Sequence, residues 1–264
     1  MKTMIIENSV SQAKKYEQFG VSRIFVDLET IGKNKRQGHL NTVMSNHNIS
    51  DIEPIAKELT KSKLLVRINP LHAKSQDEVQ KVIDSGADII MLPMFTNLRE
   101  VESFFNYVNG KTKTCLLLET SKACLNIDEI LKVNEIEEIH IGLNDLHIDM
   151  RLNFMFELLI NGVVETLIKK FREKDFHYGI GGIATLNQGL VKGKYIIREY
   201  ARLGSTGVIL SRTFKKQFEE DESLFSKELN RIYREYNDAL KLTKHQQSLN
   251  HKKLKDEINK IVTL

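Results

Sequence analysis

Apolar residues keep two alternating rhythms through the first 211 positions. Short β-branched or aliphatic runs recur, and each gives way to a segment whose apolar residues return every three or four positions. That alternation predicts strands followed by helices, and so a parallel sheet wrapped by helices. The runs are MIIE at 4–7, RIFVDLE at 23–29, LLVRIN at 64–69, DIIMLP at 88–93, TCLLLE at 114–119, EIHIGL at 138–143, HYGIGG at 177–182 and GVILS at 207–211. Eight such units in sequence predict an α/β fold of the (β/α)8 TIM-barrel type.

Helix boundaries carry their own signals. Ser50-Asp51-Ile52-Glu53 has the form of a capping box ahead of a helix over 52–62, and Ser75 opens a helix that closes near Gly86. Spacing from Phe154 to Phe171 predicts the longest helix of the barrel, and Gly204 ends the helix before the eighth strand. Beyond Gly207 there is neither glycine nor proline, and Phe218, Phe225, Leu229, Ile232, Tyr236 and Leu240 share one helical face. Residues 1–212 are therefore expected to form the catalytic barrel. Residues 213–264 are expected to form a helical extension, one helix or two, packed across the barrel bottom or on an oligomer partner. The connection at 31–48 is long and aperiodic, which in a compact domain marks a functional loop.

Composition narrows the class without changing this outline. At 264 residues the chain fits one barrel, and 41% hydrophobic with 28% charged residues describes a globular protein with a large core. The net charge of +4 is spread among interleaved acids and bases, with no basic face carrying aromatics, so a nucleic-acid partner is not expected. Cys115 and Cys124 lack metal-type spacing and fit a reducing compartment. The first residues are too briefly apolar for a signal peptide, and no run nears the roughly 18 residues of a membrane span. A cytoplasmic protein without a membrane partner is the expectation.

Chemistry in such a barrel comes from the carboxyl ends of the strands. Here those ends are polar: Asp27 and Glu29 on the second strand, Arg67 and Asn69 on the third, Glu119 on the fifth, Asn144 and Asp145 after the sixth. Charges inside apolar strands are costly unless paired or bound to a metal. Two carboxylates from neighbouring strands, with few other ligands, suit Mg²⁺ or Mn²⁺ at Glu119 and Asp145. His140 reads as an internal or helix-facing strand residue and not as a metal ligand. Arg67 offers a planar fork either to a substrate carboxylate or to a salt bridge with Glu29 or Asp27 across the barrel mouth. Gly179, Gly181 and Gly182, with Gly207 to Ser211, either bind phosphate on backbone amides or relieve packing.

The motifs VDLE at 26–29, VRINP at 66–70, ADIIMLP at 87–93, LLLET at 116–120 and IGLNDLH at 141–147 together resemble the successive strand motifs of the pyruvate/phosphoenolpyruvate barrel superfamily. Within it the chain is most similar to the citrate lyase beta-subunit and hydroxy-oxo-acid class II aldolase family, in register over roughly residues 20–211. The resemblance implies a Mg²⁺ or Mn²⁺ ion on Glu119 and Asp145, a substrate-binding arginine at Arg67, and basic residues at Lys33 and Arg36 after the second strand. Beside what the resemblance implies, the polar strand ends make Asp27 and Glu29 the expected catalytic neighbours of Arg67, and Gly142, Asn144, Gly181, Gly182 and Ser211 are expected to complete the substrate site.

Two departures stand out. Met94 and Phe95 replace the lysine and following glutamate that the family often has after its fourth strand. Thr30 and Ile31 stand where small-aldehyde aldolases carry a histidine base, leaving His39 and His147 as candidates. The expected function is a metal-dependent carbon–carbon lyase of the aldolase type. It would act through a metal-stabilised enolate of pyruvate or a related 2-oxo or 3-hydroxy acid, an acyl thioester included, in a homo-oligomer. The alternatives are a phosphoenolpyruvate- or pyruvate-binding enzyme of the same superfamily, and a catalytically degenerate barrel acting as a binding protein.

Overall fold

The computed structural model describes residues 1–32, 46–174, 176–218 and 221–263. Its strands are β1 (Lys2–Ile6), β2 (Arg23–Asp27), β3 (Lys63–Arg67), β4 (Ile89–Leu92), β5 (Lys113–Leu118), β6 (Glu138–Ile141), β7 (His177–Ile183) and β8 (Gly207–Leu210). They pair in parallel in chain order and close into a barrel, with Lys2 opposite Gly207 and Ile5 opposite Leu210. The expected (β/α)8 architecture is the one the chain adopts.

Around the barrel run α1 (Val10–Gln18), α2 (Ile52–Glu58), α3 (Ser75–Asp84), α4 (Leu98–Val108), α5 (Ser121–Leu125), α6 (Ile127–Ile130), α7 (Leu143–Asp149), α8 (Val163–Arg172) and α9 (Gly193–Leu203). After β8 come α10 (Arg212–Gln217), α11 (Glu222–Ala239) and α12 (Lys244–Val262). No helix among the described residues is long and apolar enough to cross a membrane.

Strand residues are buried on both faces, which is why the runs read as continuous apolar segments. One face packs on the helices. The other fills the barrel with Met4, Phe25, Leu65, Ile89, Met91, Cys115 and Leu117.

Two helices are shorter than their periodicity predicts. The apolar spacing from Phe154 to Phe171 is divided into a 3-10 turn over Met155–Leu159 and α8, with Gly162 between them at φ +90°. Asn161 supplies the reason, because its side chain accepts from the Val163 N–H (3.1 Å) and starts a new helix there. Likewise α2 stops at Glu58 and not at residue 62, since the N–H groups of Thr60, Lys61 and Ser62 turn to the Glu17 carboxylate (2.9, 2.6 and 2.7 Å). The capping signal also lies earlier than expected: Asp51 accepts from the Asn48 N–H at 2.9 Å.

The C-terminal stretch is two helices, capped by Asp221 and by Thr243. Helix α11 lies along the barrel flank and not across its bottom. Phe225 stacks on Tyr16 of α1 (5.0 Å between centroids), Glu228 accepts from Leu186 N (2.8 Å) and Tyr236 donates to Ser205 O (2.7 Å). Leu240, expected on the buried face, is 53% exposed. Helix α12 packs outside α9, where Asn250 donates to Tyr195 O (3.1 Å) and His251 meets Glu199 (2.8 Å).

Candidate active site

Side chains alternate along a strand, so the residue two beyond each barrel-filling apolar residue also points inward, one layer nearer the mouth. Phe25, Leu65 and Leu117 are followed in this way by Asp27, Arg67 and Glu119. Asp27 and Arg67 are register partners across β2 and β3. The guanidinium grips the carboxylate at both oxygens, Nε to Oδ1 at 2.8 Å and Nη2 to Oδ2 at 2.9 Å, while Nη1 lies 3.2 Å from Glu29 Oε2. The salt-bridge reading of Arg67 is therefore realised. The fork also lies 5.5 Å over the ring of Phe25. Burial acts against the charge on Arg67, but Asp27 and Glu29 outweigh it and hold its pKa above that of an ordinary arginine.

Glu119 is buried immediately after β5. Its Oε1 accepts from the Met94 N–H at 3.2 Å, and Met94 holds the left-handed backbone (φ +55°) that brings this N–H to it. On its other side Gly142 stands so close that a Cβ there would lie 2.9 Å from Oε2. Asp145 is not at a strand end as expected. It is the third residue of α7, because β6 ends at Ile141 and Gly142 caps the helix.

Glu119, Asp145 and Arg67 line one cavity of about 490 Å³, together with Gly142, Asn144, Gly181, Gly182 and Ser211. Asp27 and Glu29 stand behind Arg67. Ser211 also caps α10, accepting from Phe214 N at 3.1 Å. Lys33, Arg36 and His39 lie outside the described residues. His147 faces its own helix, with Nδ1 3.3 Å from Leu143 O. Among the described residues no three or more His, Cys, Asp or Glu side chains cluster as a metal cage. The oxygen pair of Glu119 and Asp145 could hold a hard cation that keeps most of its waters.

Of the two orientations open to His140, the structure has the inward one, and the ring reaches the cavity floor. Its Nε2 donates to Gly181 O (3.0 Å), which fixes the tautomer and leaves Nδ1 bare against Gly179. Burial pushes its pKa down to about 4, so the ring is neutral. The β7 glycines make room for neighbours: a Cβ on Gly179 would lie 2.2 Å from His140 Nδ1, and one on Gly181 would lie 2.6 Å from Leu143 and 2.7 Å from the Tyr200 hydroxyl.

Sequence reasoning missed three residues. Arg212, the first residue of α10 and two positions beyond β8, lines the cavity and has no ion-pair partner among the described residues. Burial lowers its pKa against the pull of Asp27. The rule that polar residues at strand ends matter could have found it. Met94 was noticed only as a departure, and its backbone role leaves no trace in residue type. His47 accepts the Asp27 N–H on Nδ1 (2.9 Å), and nothing in the aperiodic loop marks it.

Comparison with known proteins gives the same direction. No curated protein matches the chain. Among solved structures, the HpcH/HpaI aldolase from Desulfitobacterium hafniense DCB-2 superposes with a TM-score of 0.61 at 14% identity, covering 88% of this chain and 92% of that one, a likeness of fold. The family model for HpcH/HpaI aldolase/citrate lyase matches residues 14–155. That stretch carries Asp27, Arg67, Glu119 and Asp145, and by it the chain belongs to the HpcH/HpaI aldolase/citrate lyase family.

Proposed function

We propose that the chain is a divalent-metal-dependent carbon–carbon lyase of the aldolase type, acting on pyruvate or a related 2-oxo or 3-hydroxy acid. The observation that carries this reading is the convergence of Glu119, Asp145 and Arg67 on one cavity at the carboxyl end of the barrel. Glu119 and Asp145 would hold Mg²⁺ or Mn²⁺. The notch at Gly142, which a Cβ would fill, gives the Glu119 carboxylate the room it needs beside α7. When bound, such an ion supplies Lewis acidity to a 2-oxo oxygen, the charge stabilisation that cleavage of the adjoining carbon–carbon bond requires.

The protein's own groups do the positioning. Asp27 and Glu29 lock the Arg67 fork, so its remaining N–H groups meet a substrate oxygen at a fixed angle without reorganisation. Arg212 brings a second cation to the same cavity, matching an anionic 2-oxo acid. Because Gly179 and Gly181 are filled by His140, Leu143 and Tyr200, packing accounts for these two glycines without a phosphate. Glu119→Gln and Asp145→Asn should each remove Mn²⁺-dependent aldol cleavage while leaving the melting temperature within a few degrees. Full activity in chelator-treated protein would overturn the reading.

A further inference from the structure

The cavity has two unlike ends. Arg67, Glu119, Asp145 and Arg212 lie toward the barrel axis, whereas the wall between α7 and α9 is built from Leu143, Phe154, Phe156, Val191 and Ile196. Leu143, Phe156, Val191 and Ile196 are themselves buried, so this wall is core that opens onto the site. Phe154 and Phe156 meet edge to face, at 5.3 Å and 85°, and hold each other in place. Behind the wall the fold keeps the surface firm: Phe154 N–H is tied to Glu157 (2.7 Å), and Leu186 N–H to Glu228 of α11 (2.8 Å).

Volume makes the same point. A three-carbon 2-oxo acid fills a small part of about 490 Å³, where one water's share is about 30 Å³. A pocket lined by carbon and adjoining a charged centre favours a ligand with one charged end and one apolar end.

Building on the aldolase reading, we infer that the half of the substrate remote from the 2-oxo acid is an uncharged apolar chain. The lyase therefore releases or accepts an aliphatic aldehyde, whose hydrocarbon tail lies on Phe154, Phe156, Val191 and Ile196. In the cleavage direction the bond between the 2-oxo acid's third carbon and the hydroxyl-bearing carbon breaks. The hydroxyl proton is lost as the aldehyde carbonyl forms, and the electron pair with one proton ends on the methyl carbon of pyruvate. No redox partner is needed.

The test is a series of acceptors condensed with pyruvate in the presence of Mn²⁺: acetaldehyde, propanal, butanal, pentanal and hexanal. Each added CH₂ should raise kcat/KM about fourfold, as burial of about 0.8 kcal/mol per CH₂ implies, until the wall is covered. Phe154→Ala should cut the step to below about twofold for the longer aldehydes. If that variant does not fold, Leu190→Ser at the exposed cavity rim serves instead. A flat series, or a preference for succinic semialdehyde over the uncharged butanal, would overturn the inference.

Exchange of the pyruvate methyl protons with D₂O needs no acceptor and examines the lyase reading by itself. Should exchange fail, thermal-shift affinities of straight-chain 2-oxo acids from pyruvate to 2-oxooctanoate decide the matter. A climb with chain length supports the apolar wall, and no climb overturns it.

Discussion

Gly142 contributes no side chain, yet it decides where Glu119 can sit. Its φ of −83° suits any residue, so alanine would cause no backbone strain, and the whole effect would come from a Cβ placed 2.9 Å from Oε2. Gly142→Ala should leave the protein folded and weaken Mn²⁺ binding at least about tenfold, read by titration of the free ion's EPR signal. Unchanged affinity would remove Glu119 from the proposed metal site. Gly179 is the complementary case, because there a Cβ would lie 2.2 Å from His140 Nδ1. Gly179→Ala should cost about 1–3 kcal/mol by overpacking. Combining it with His140→Ala should cost less than the two single changes together, by about 1 kcal/mol or more, in urea unfolding. Additive costs would show that the clash is relieved elsewhere. Residue type alone shows neither effect, since both depend on which strand lies alongside.

Elements were more legible than their ends. All eight strands were visible as apolar runs because parallel strands are buried on both faces, and Asp27, Arg67 and Glu119 could be picked out because they interrupt those runs at the mouth. Helix ends were set by side chains that compete with the backbone: Asn161 divides the 154–171 spacing, and Glu17, far away in sequence, ends α2. Asp145, read as following directly from the end of the sixth strand, lies inside α7, since IGLND fits either period. The attachment of α11 was equally hidden, because a helical face shows what is buried but not against what. Phe225 makes that attachment, standing within 5.3 Å, centroid to centroid, of Tyr16, Phe19 and Phe214. Phe225→Ala should destabilise the protein by about 3–5 kcal/mol. In urea the midpoint should fall with the slope kept if α11 unfolds with the barrel, and a separate early transition would mean that it does not.

Across the whole molecule, polar groups are stacked at both ends of an apolar barrel, and this shapes its response to acid. At the bottom Arg23 holds Glu138 through Nη1 and Nη2, at 2.5 and 2.7 Å; at the mouth Arg67 holds Asp27; between them His140 is buried and neutral. Burial raises the Glu138 pKa, but Arg23 outweighs it and keeps the carboxyl below its usual value, so its contribution is intact above about pH 4.5 and lost as pH falls further. His140 acts earlier. Its native pKa is about 4, whereas in the unfolded chain it returns to about 6.5. Between those values the unfolded chain binds a proton that the native protein does not. Stability should therefore fall by up to about 1.4 kcal/mol per pH unit on acidification through this window, about 3 kcal/mol in all. His47, whose pKa burial also lowers, adds in the same direction. Urea midpoints at pH 7, 6, 5 and 4.5 would measure the slope for the native chain and for His140→Gln. The variant should be flatter by up to one proton over this range, and the two should run parallel below it, where the carboxylates take over. Equal slopes above pH 4.5 would mean that the His140 ring gains a proton without cost, and that the space against Gly179 admits water.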